Sequence, residues 1–271
     1  MSTADRRPIG VFDSGIGGLT VVRALMDRLP FEDIVYFGDS ARVPYGVKSV
    51  ATIEDFTRQI AEFLLQREVK ALIIACNTMA AVAVEVVKQV AGAVPVLDVI
   101  DAGARAAARV TRSGAIGVIA TPTTVNSNAY ARAIHHLHPD VRVYSQACPL
   151  FVPLVEEGWL DHPVTRLTAE EYLKSVLVED VDTLVLGCTH YPLIKPLLQQ
   201  VCGDEMTIVD SAVTTAEATA RRLSELGLLN PQREMPNYHY YVTDIPLRFQ
   251  SIGERFLGRS IRQLEMVRLG S

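Results

Sequence analysis

Two of the four cysteines in this 271-residue chain sit in matching surroundings. Leu72-Ile73-Ile74-Ala75-Cys76-Asn77-Thr78 and Leu184-Val185-Leu186-Gly187-Cys188-Thr189-His190 share one layout. Each is an aliphatic run, a small residue, a Cys, then polar residues that open a helix. A Cys between a strand end and a helix N-terminus feels the positive end of the helix dipole, which favours thiolate. A thiol whose ordinary pKa is about 8.5 then moves toward neutrality and can act as a base. Cys148 and Cys202 lack such flanks and read as small buried hydrophobes. No Cys-x-x-Cys pair occurs, so neither a zinc ribbon nor a thioredoxin motif is present.

A second cluster opens the chain. Asp13-Ser14-Gly15-Ile16-Gly17-Gly18 is Gly-rich but is no P-loop, because no Lys-Ser/Thr pair follows. Asp39 lies about 20 residues beyond it, where a dinucleotide-binding fold keeps its ribose acid. Asp13 argues against a nucleotide, since it would set negative charge beside the pyrophosphate. That charge suits a site that holds an ammonium group or orients a thiol, and the amides after it can bind a carboxylate. Pro44-Tyr45-Gly46 is a turn. Thr121-Pro122-Thr123-Thr124 follows a strand, so its hydroxyls can meet the same cleft. Glu156 and Glu157, before Gly158, read as a helix end from which one carboxylate reaches the cleft as a charge partner. His135, His136 and His138 read as a solvated helix end rather than a metal site. No lysine has a Schiff-base context, so pyridoxal phosphate is not indicated.

Something must position these groups, and the hydrophobic pattern says what. Short apolar runs at Ile9 to Phe12, Ile34 to Phe37, Ala71 to Ala75, Val94 to Val99, Ala115 to Ala120, Val141 to Ser145, Thr183 to Leu186 and Thr207 to Val209 alternate with amphipathic stretches. The latter predict helices near Leu19 to Leu29, Ile53 to Arg67, Met79 to Val90, Ser127 to Leu137, Leu193 to Val201 and Val213 to Leu226. The tail adds a strand near His239 to Val242 and a helix near Pro246 to Leu257. Continuous rather than alternating apolar strands imply a parallel sheet covered on both faces, so the class is α/β. The repeated cysteine motif implies two similar doubly wound parallel-sheet domains. Residues 1–98 with 208–271 carry Asp13 and Cys76, and residues 99–207 carry Cys188. Ligands of open α/β sheets bind at the carboxyl ends of the strands, which puts both cysteines on a cleft between the halves.

Composition narrows the partners. Lys and Arg total 26 against 31 Asp and Glu, a net charge of −5, which disfavours a dedicated nucleic-acid binder. The start, Met1 to Arg7, is polar, and no apolar run reaches the ~18 residues of a membrane span, so a cytoplasmic protein with reduced thiols is expected. Two other classes compete with thiol chemistry. One is a nicotinamide oxidoreductase built on the Gly-rich turn and Asp39. The other is a two-lobed solute-binding module with incidental cysteines.

Taken in order, Asp13 to Gly18, Pro44-Tyr45-Gly46, Cys76-Asn77-Thr78 and Gly187-Cys188-Thr189-His190-Tyr191-Pro192 resemble the aspartate/glutamate racemase family from Ile9 to about Arg222. Aspartate enzymes of that family tend to carry Glu where His190 stands, so the resemblance favours the glutamate branch. Met79 departs from the small residue common at its place. What the resemblance implies is a two-base 1,1-proton transfer on glutamate with no cofactor and no metal. Cys76 would act on D-glutamate with help from Asp13, and Cys188 on L-glutamate with help from His190. Asp39 and Glu156 would be accessory acids. Ser14, Tyr45, Gly46, Asn77, Thr78, Thr121, Thr189 and His190 would hold the substrate. The family also implies a cytoplasmic homodimer that supplies D-glutamate for peptidoglycan.

Overall fold

The computed structural model describes residues 5–177, 180–231 and 234–270; of the polar start Met1 to Arg7, residues 1–4 lie outside it. The first half runs β1 (Ile9–Asp13), α1 (Leu19–Arg28), β2 (Ile34–Gly38), a 3₁₀ turn (Tyr45–Val47), α2 (Val50–Leu65), β3 (Ala71–Ile74), α3 (Asn77–Ala91) and β4 (Val96–Asp98). α4 (Val99–Val110) leads into β5 (Ala115–Ala120), α5 (Pro122–Asn126), α6 (Ala129–Leu137), β6 (Arg142–Ala147), α7 (Phe151–Glu156) and α8 (Pro163–Leu177). Then come β7 (Thr183–Gly187), a 3₁₀ turn (Tyr191–Ile194), α9 (Lys195–Cys202), β8 (Thr207–Asp210) and α10 (Ser211–Glu225). β9 (Tyr238–Val242), α11 (Pro246–Leu257) and β10 (Leu264–Met266) close the chain.

Two sheets result, one ordered β10-β9-β2-β1-β3-β4 and the other β6-β5-β7-β8. Every strand pair in both is parallel. The strings β2-β1-β3-β4 and β6-β5-β7-β8 have the same order, so the second half repeats the core of the first. β1, β2, β3, β5 and β7 are buried at every residue, as strands with helices on both faces must be. Each fully buried aliphatic or aromatic side chain contributes roughly 1.5–3 kcal/mol. In both sheets the order reverses beside the first strand, between β1 and β3 and between β5 and β7. These are the switch points at which doubly wound sheets bind ligands.

The structure extends the sequence reading at several places. α8 carries no clearly amphipathic signature in the sequence, α4 is an Ala-rich amphipathic helix not anticipated there, and α5, α7 and β10 are too short to show a period. The strand expected at Val94 to Val99 is only Val96–Asp98, because the Asp98 carboxylate accepts from the amides of Ile100 and Asp101, both at 2.9 Å, and starts α4. The division at 207/208 runs through β8, whose Thr207 pairs with Thr183 at the edge of the second sheet. The chain returns to the first half along α10, which packs on α1 and on α4. Among the described residues, no helix is long and apolar enough to cross a membrane.

Candidate active site

β1 delivers Asp13 to the switch point of the first sheet, almost wholly buried. Its Oδ2 accepts the Gly15 amide at 2.9 Å, and its Oδ1 has no protein partner. The following turn is glycine-rich for steric reasons. A Cβ at Gly18 would stand 2.5 Å from that of Asp13 and 3.1 Å from that of Ala75. A Cβ at Gly17 would run into the Thr189 hydroxyl and the His190 ring, so the turn of one half abuts the cysteine motif of the other. Two hydroxyls lock it there. Tyr36 donates to the Gly15 carbonyl at 2.8 Å, and Thr20 Oγ1 lies 2.9 Å from the Gly17 carbonyl and 3.0 Å from that of Thr189.

β3 ends at Ile74, one residue short of the expected Ala75, and Cys76 becomes the N-cap of α3. Its Sγ donates to Ser14 Oγ at 3.5 Å. The helix terminus does not lower this thiol as the sequence suggested. Burial, with the charge of Asp13 added, pushes Cys76 up to about 12. Burial likewise raises the Asp13 carboxyl, against the pull of the Gly15 amide and His190. Cys76 thus rests as a thiol beside a carboxyl able to take its proton.

β7 delivers Cys188 to the equivalent place, with a different neighbourhood. No α-helix begins there; a 3₁₀ turn follows at Tyr191, so the helix-dipole argument does not carry over. The partner is instead a side chain. Cys188 Sγ lies 3.9 Å from His190 Nδ1, and His190 Nε2 lies 3.0 Å from Glu156 Oε1. Burial works to lower the His190 pKa, but the bonds to Cys188 and Glu156 outweigh it and raise it to about 10. An imidazolium therefore stands ready to donate to the sulfur. Phe256 supports it edge-on, with ring centroids 5.0 Å apart.

Both thiols open on one cavity of about 330 Å³, lined from both halves. That is the small end of the range for ligand pockets and suits an amino acid. Of the residues expected there, Asp13, Ser14, Tyr45, Gly46, Cys76, Asn77, Thr78, Thr121, Glu156, Cys188, Thr189 and His190 all line it. Asp39 does not. It is fully buried, accepts from Arg42 Nε at 2.6 Å, from Thr243 Oγ1 at 2.9 Å and from the Tyr45 hydroxyl. With its charge met by Arg42, Asp39 is a strut for Tyr45 rather than an acid at the cavity. Glu157 is exposed on the turn after α7, which leaves Glu156 as the glutamate that reaches the cleft. Met79 faces the core and is fully buried.

Across the cleft, Thr78 Oγ1 meets Thr121 Oγ1 at 3.2 Å, and Thr123 Oγ1 donates to the Gly46 carbonyl at 2.5 Å. The sequence reading grouped Thr121 to Thr124 as cleft hydroxyls. Only Thr121 and Pro122 line it, while Thr124 backs Thr121 at 3.1 Å. Pro149, Val152 and Pro153, unnoticed in the sequence, form an apolar part of its wall. Thr20, Tyr36 and Tyr130 were also missed, since each acts through a contact distant in the chain. Among the described residues no three His, Cys, Asp or Glu side chains are grouped to hold a metal ion. His135 instead pairs with the Val141 carbonyl at 2.9 Å.

Repeated parallel sheets that converge on an amino-acid-sized cavity with a cysteine at each matching strand end fit a racemase, an isomerase, and similarity to known proteins shows that class. Residues 17–219 match the Asp/Glu/Hydantoin racemase family, and the chain belongs to it. Within the family it is similar to several glutamate racemases. It is 67% identical over 268 residues to that of Syntrophus aciditrophicus, across 99% of both chains. It is 65% identical over 265 residues to that of Neisseria meningitidis, across 98% of both. The crystal structure of the Francisella tularensis glutamate racemase in complex with D-glutamate superposes over 98% of each chain, with a TM-score of 0.92 at 49% identity.

Proposed function

We propose that the cavity takes L- or D-glutamate and interconverts them by removal of the α-proton to one cysteine and return of a proton from the other, without a cofactor. The observation that carries this reading is that Cys76 and Cys188 line one cavity from opposite halves, the first beside Asp13 and the second beside His190. From L-glutamate, His190 holds the proton of Cys188, and the Cys188 thiolate takes the α-hydrogen. The electron pair left on Cα spreads into the α-carboxylate, whose growing charge the amide and hydroxyl donors of the cavity meet. The Cys76 thiol then gives its hydrogen to the other face of Cα. From D-glutamate the roles reverse: Asp13 accepts the proton of Cys76, the Cys76 thiolate takes the α-hydrogen, and the Cys188 thiol returns one to the other face. The biological role that fits is supply of D-glutamate for peptidoglycan by a cytoplasmic homodimer.

The test is polarimetry of L-glutamate with the pure protein and no added cofactor. Optical rotation should decay to zero, whereas constant rotation would refute the reading. L-aspartate should be a poor substrate, because its side-chain carboxylate falls one methylene short of its donors. A methylene is worth roughly 10–200-fold in specificity, so kcat/KM for aspartate should be lower by that order. Equal specificity constants would overturn the preference for glutamate over aspartate.

A further inference from the structure

One polar atom in the cavity wall lacks a partner in a way that another side chain enforces. Asn77, beside Cys76 at the start of α3, is 3% exposed and lines the cavity. Its Oδ1 accepts the hydroxyl of Tyr130 at 2.7 Å, while its Nδ2 is buried with no protein partner. Tyr130 belongs to α6 of the other half and is itself buried. Two glycines make room for its ring. A Cβ at Gly103, inside α4, would come within 3.3 Å of Tyr130 Cε1 and Oη, and one at Gly187 within 3.0 Å of Tyr130 Cε2. Gly187 immediately precedes Cys188. One tyrosine therefore rests on the strand end that carries the second cysteine and bonds the residue next to the first.

We propose that Tyr130 is a positioning residue that fixes the amide of Asn77, so that Nδ2 faces the cavity as a donor for a carboxylate of the substrate. A carboxamide can turn over and exchange a donor for an acceptor. With its oxygen held by a phenol, which can donate a single hydrogen, Asn77 keeps its N–H groups toward the cavity. Burial raises the Tyr130 phenol well above its ordinary range, so it remains a donor at any pH at which the thiols work. Turned over, Asn77 would set a carbonyl oxygen against the substrate carboxylate. The assignment rests on the racemase reading above, and it adds an inter-half contact that couples substrate binding to the seating of α6.

The experiment compares wild type, Tyr130→Phe, Asn77→Ala and the double variant for glutamate racemisation and thermal midpoint. In Tyr130→Phe, KM for both enantiomers should rise about tenfold, the equivalent of ~1.4 kcal/mol, with kcat within about threefold. In the Asn77→Ala background the same change should have no further effect on KM, since there is no amide left to orient. An unchanged KM in Tyr130→Phe would overturn the proposal, as would an equal loss in both backgrounds, which would make Tyr130 a packing residue. Failure of the wild type to racemise glutamate would instead sink the racemase reading. If Tyr130→Phe does not fold, Asn77→Asp decides. It keeps an oxygen for Tyr130 but turns the cavity-facing donor into an acceptor, so glutamate affinity should collapse with the thermal midpoint retained. Wild-type affinity in that variant would overturn the proposal.

Discussion

Cys76→Ala and Cys188→Ala should each abolish racemisation, while Cys148→Ala and Cys202→Ala should leave the rate within a few-fold. Each of the first two removes the proton carrier for one face of Cα. Loss of a positioned acid or base typically costs ~10²–10⁴-fold, and here no neighbouring group can replace it. Asp13 is the group nearest in kind on the first face. Its carboxylate is engaged by the Gly15 amide and serves Cys76 rather than replacing it. On the second face His190 is tied to Glu156 and plays the same part for Cys188. Cys148 is just as buried but does not line the cavity, and its Sγ donates to the Gln146 carbonyl. Cys202 ends α9. Initial rates in both directions, with circular dichroism to confirm folding, check the set. A folded Cys76→Ala or Cys188→Ala enzyme with a tenth of wild-type activity would contradict the assignment.

Gly17→Ala should cost ~10²-fold or more in kcat although position 17 carries no chemistry. Its added methyl group would occupy the place of the Thr189 hydroxyl and stand 2.6 Å from His190 Nδ1. The Thr20 hydroxyl pins both sides of this contact, so the turn cannot simply back away. Relief comes from displacing His190, which breaks its alignment with Cys188. A misplacement of about 1 Å at a reacting group is enough for a loss of that size. The same substitution at Gly270, which has no positive φ and no atom within 4 Å of the new Cβ, shifts nothing at the site and serves as the backbone control. Steady-state kinetics of the two variants make the comparison. Wild-type kcat in Gly17→Ala would show that the turn does not seat His190.

The paired cysteines were legible because the chain spells the same strand-end motif twice, and the strands because doubly covered strands are apolar at every residue. What escaped the sequence depended on direction and on distance along the chain. Asp39 stands at a strand end, as expected, but a strand end does not say which way a carboxylate points, and Arg42 draws it away from the cavity. The cysteine motifs predict a helix after each Cys; after Cys188 the chain makes a 3₁₀ turn first, so His190 rather than a helix dipole serves that thiol. Asp98 was absorbed into a strand although its carboxylate caps α4, an Ala-rich amphipathic helix. An Asp followed by such a helix was the signal available. Tyr130 had none, because its value lies in reaching Asn77, 53 residues earlier in the chain.

The central claim is that the two thiols work on opposite faces of one carbon, and an isotope experiment addresses it most directly. Racemisation of L-glutamate in heavy water is stopped early, and both enantiomers are separated and analysed for deuterium at Cα. The α-hydrogen leaves to Cys188, while the new hydrogen comes from Cys76, already equilibrated with solvent. Early D-glutamate should therefore be deuterated while the remaining L-glutamate stays mostly protonated, with the mirror result from D-glutamate. Substantial retention of the original hydrogen in early product, from either enantiomer, would mean that one base carries it across and would contradict the assignment of Cys76 and Cys188 to opposite faces.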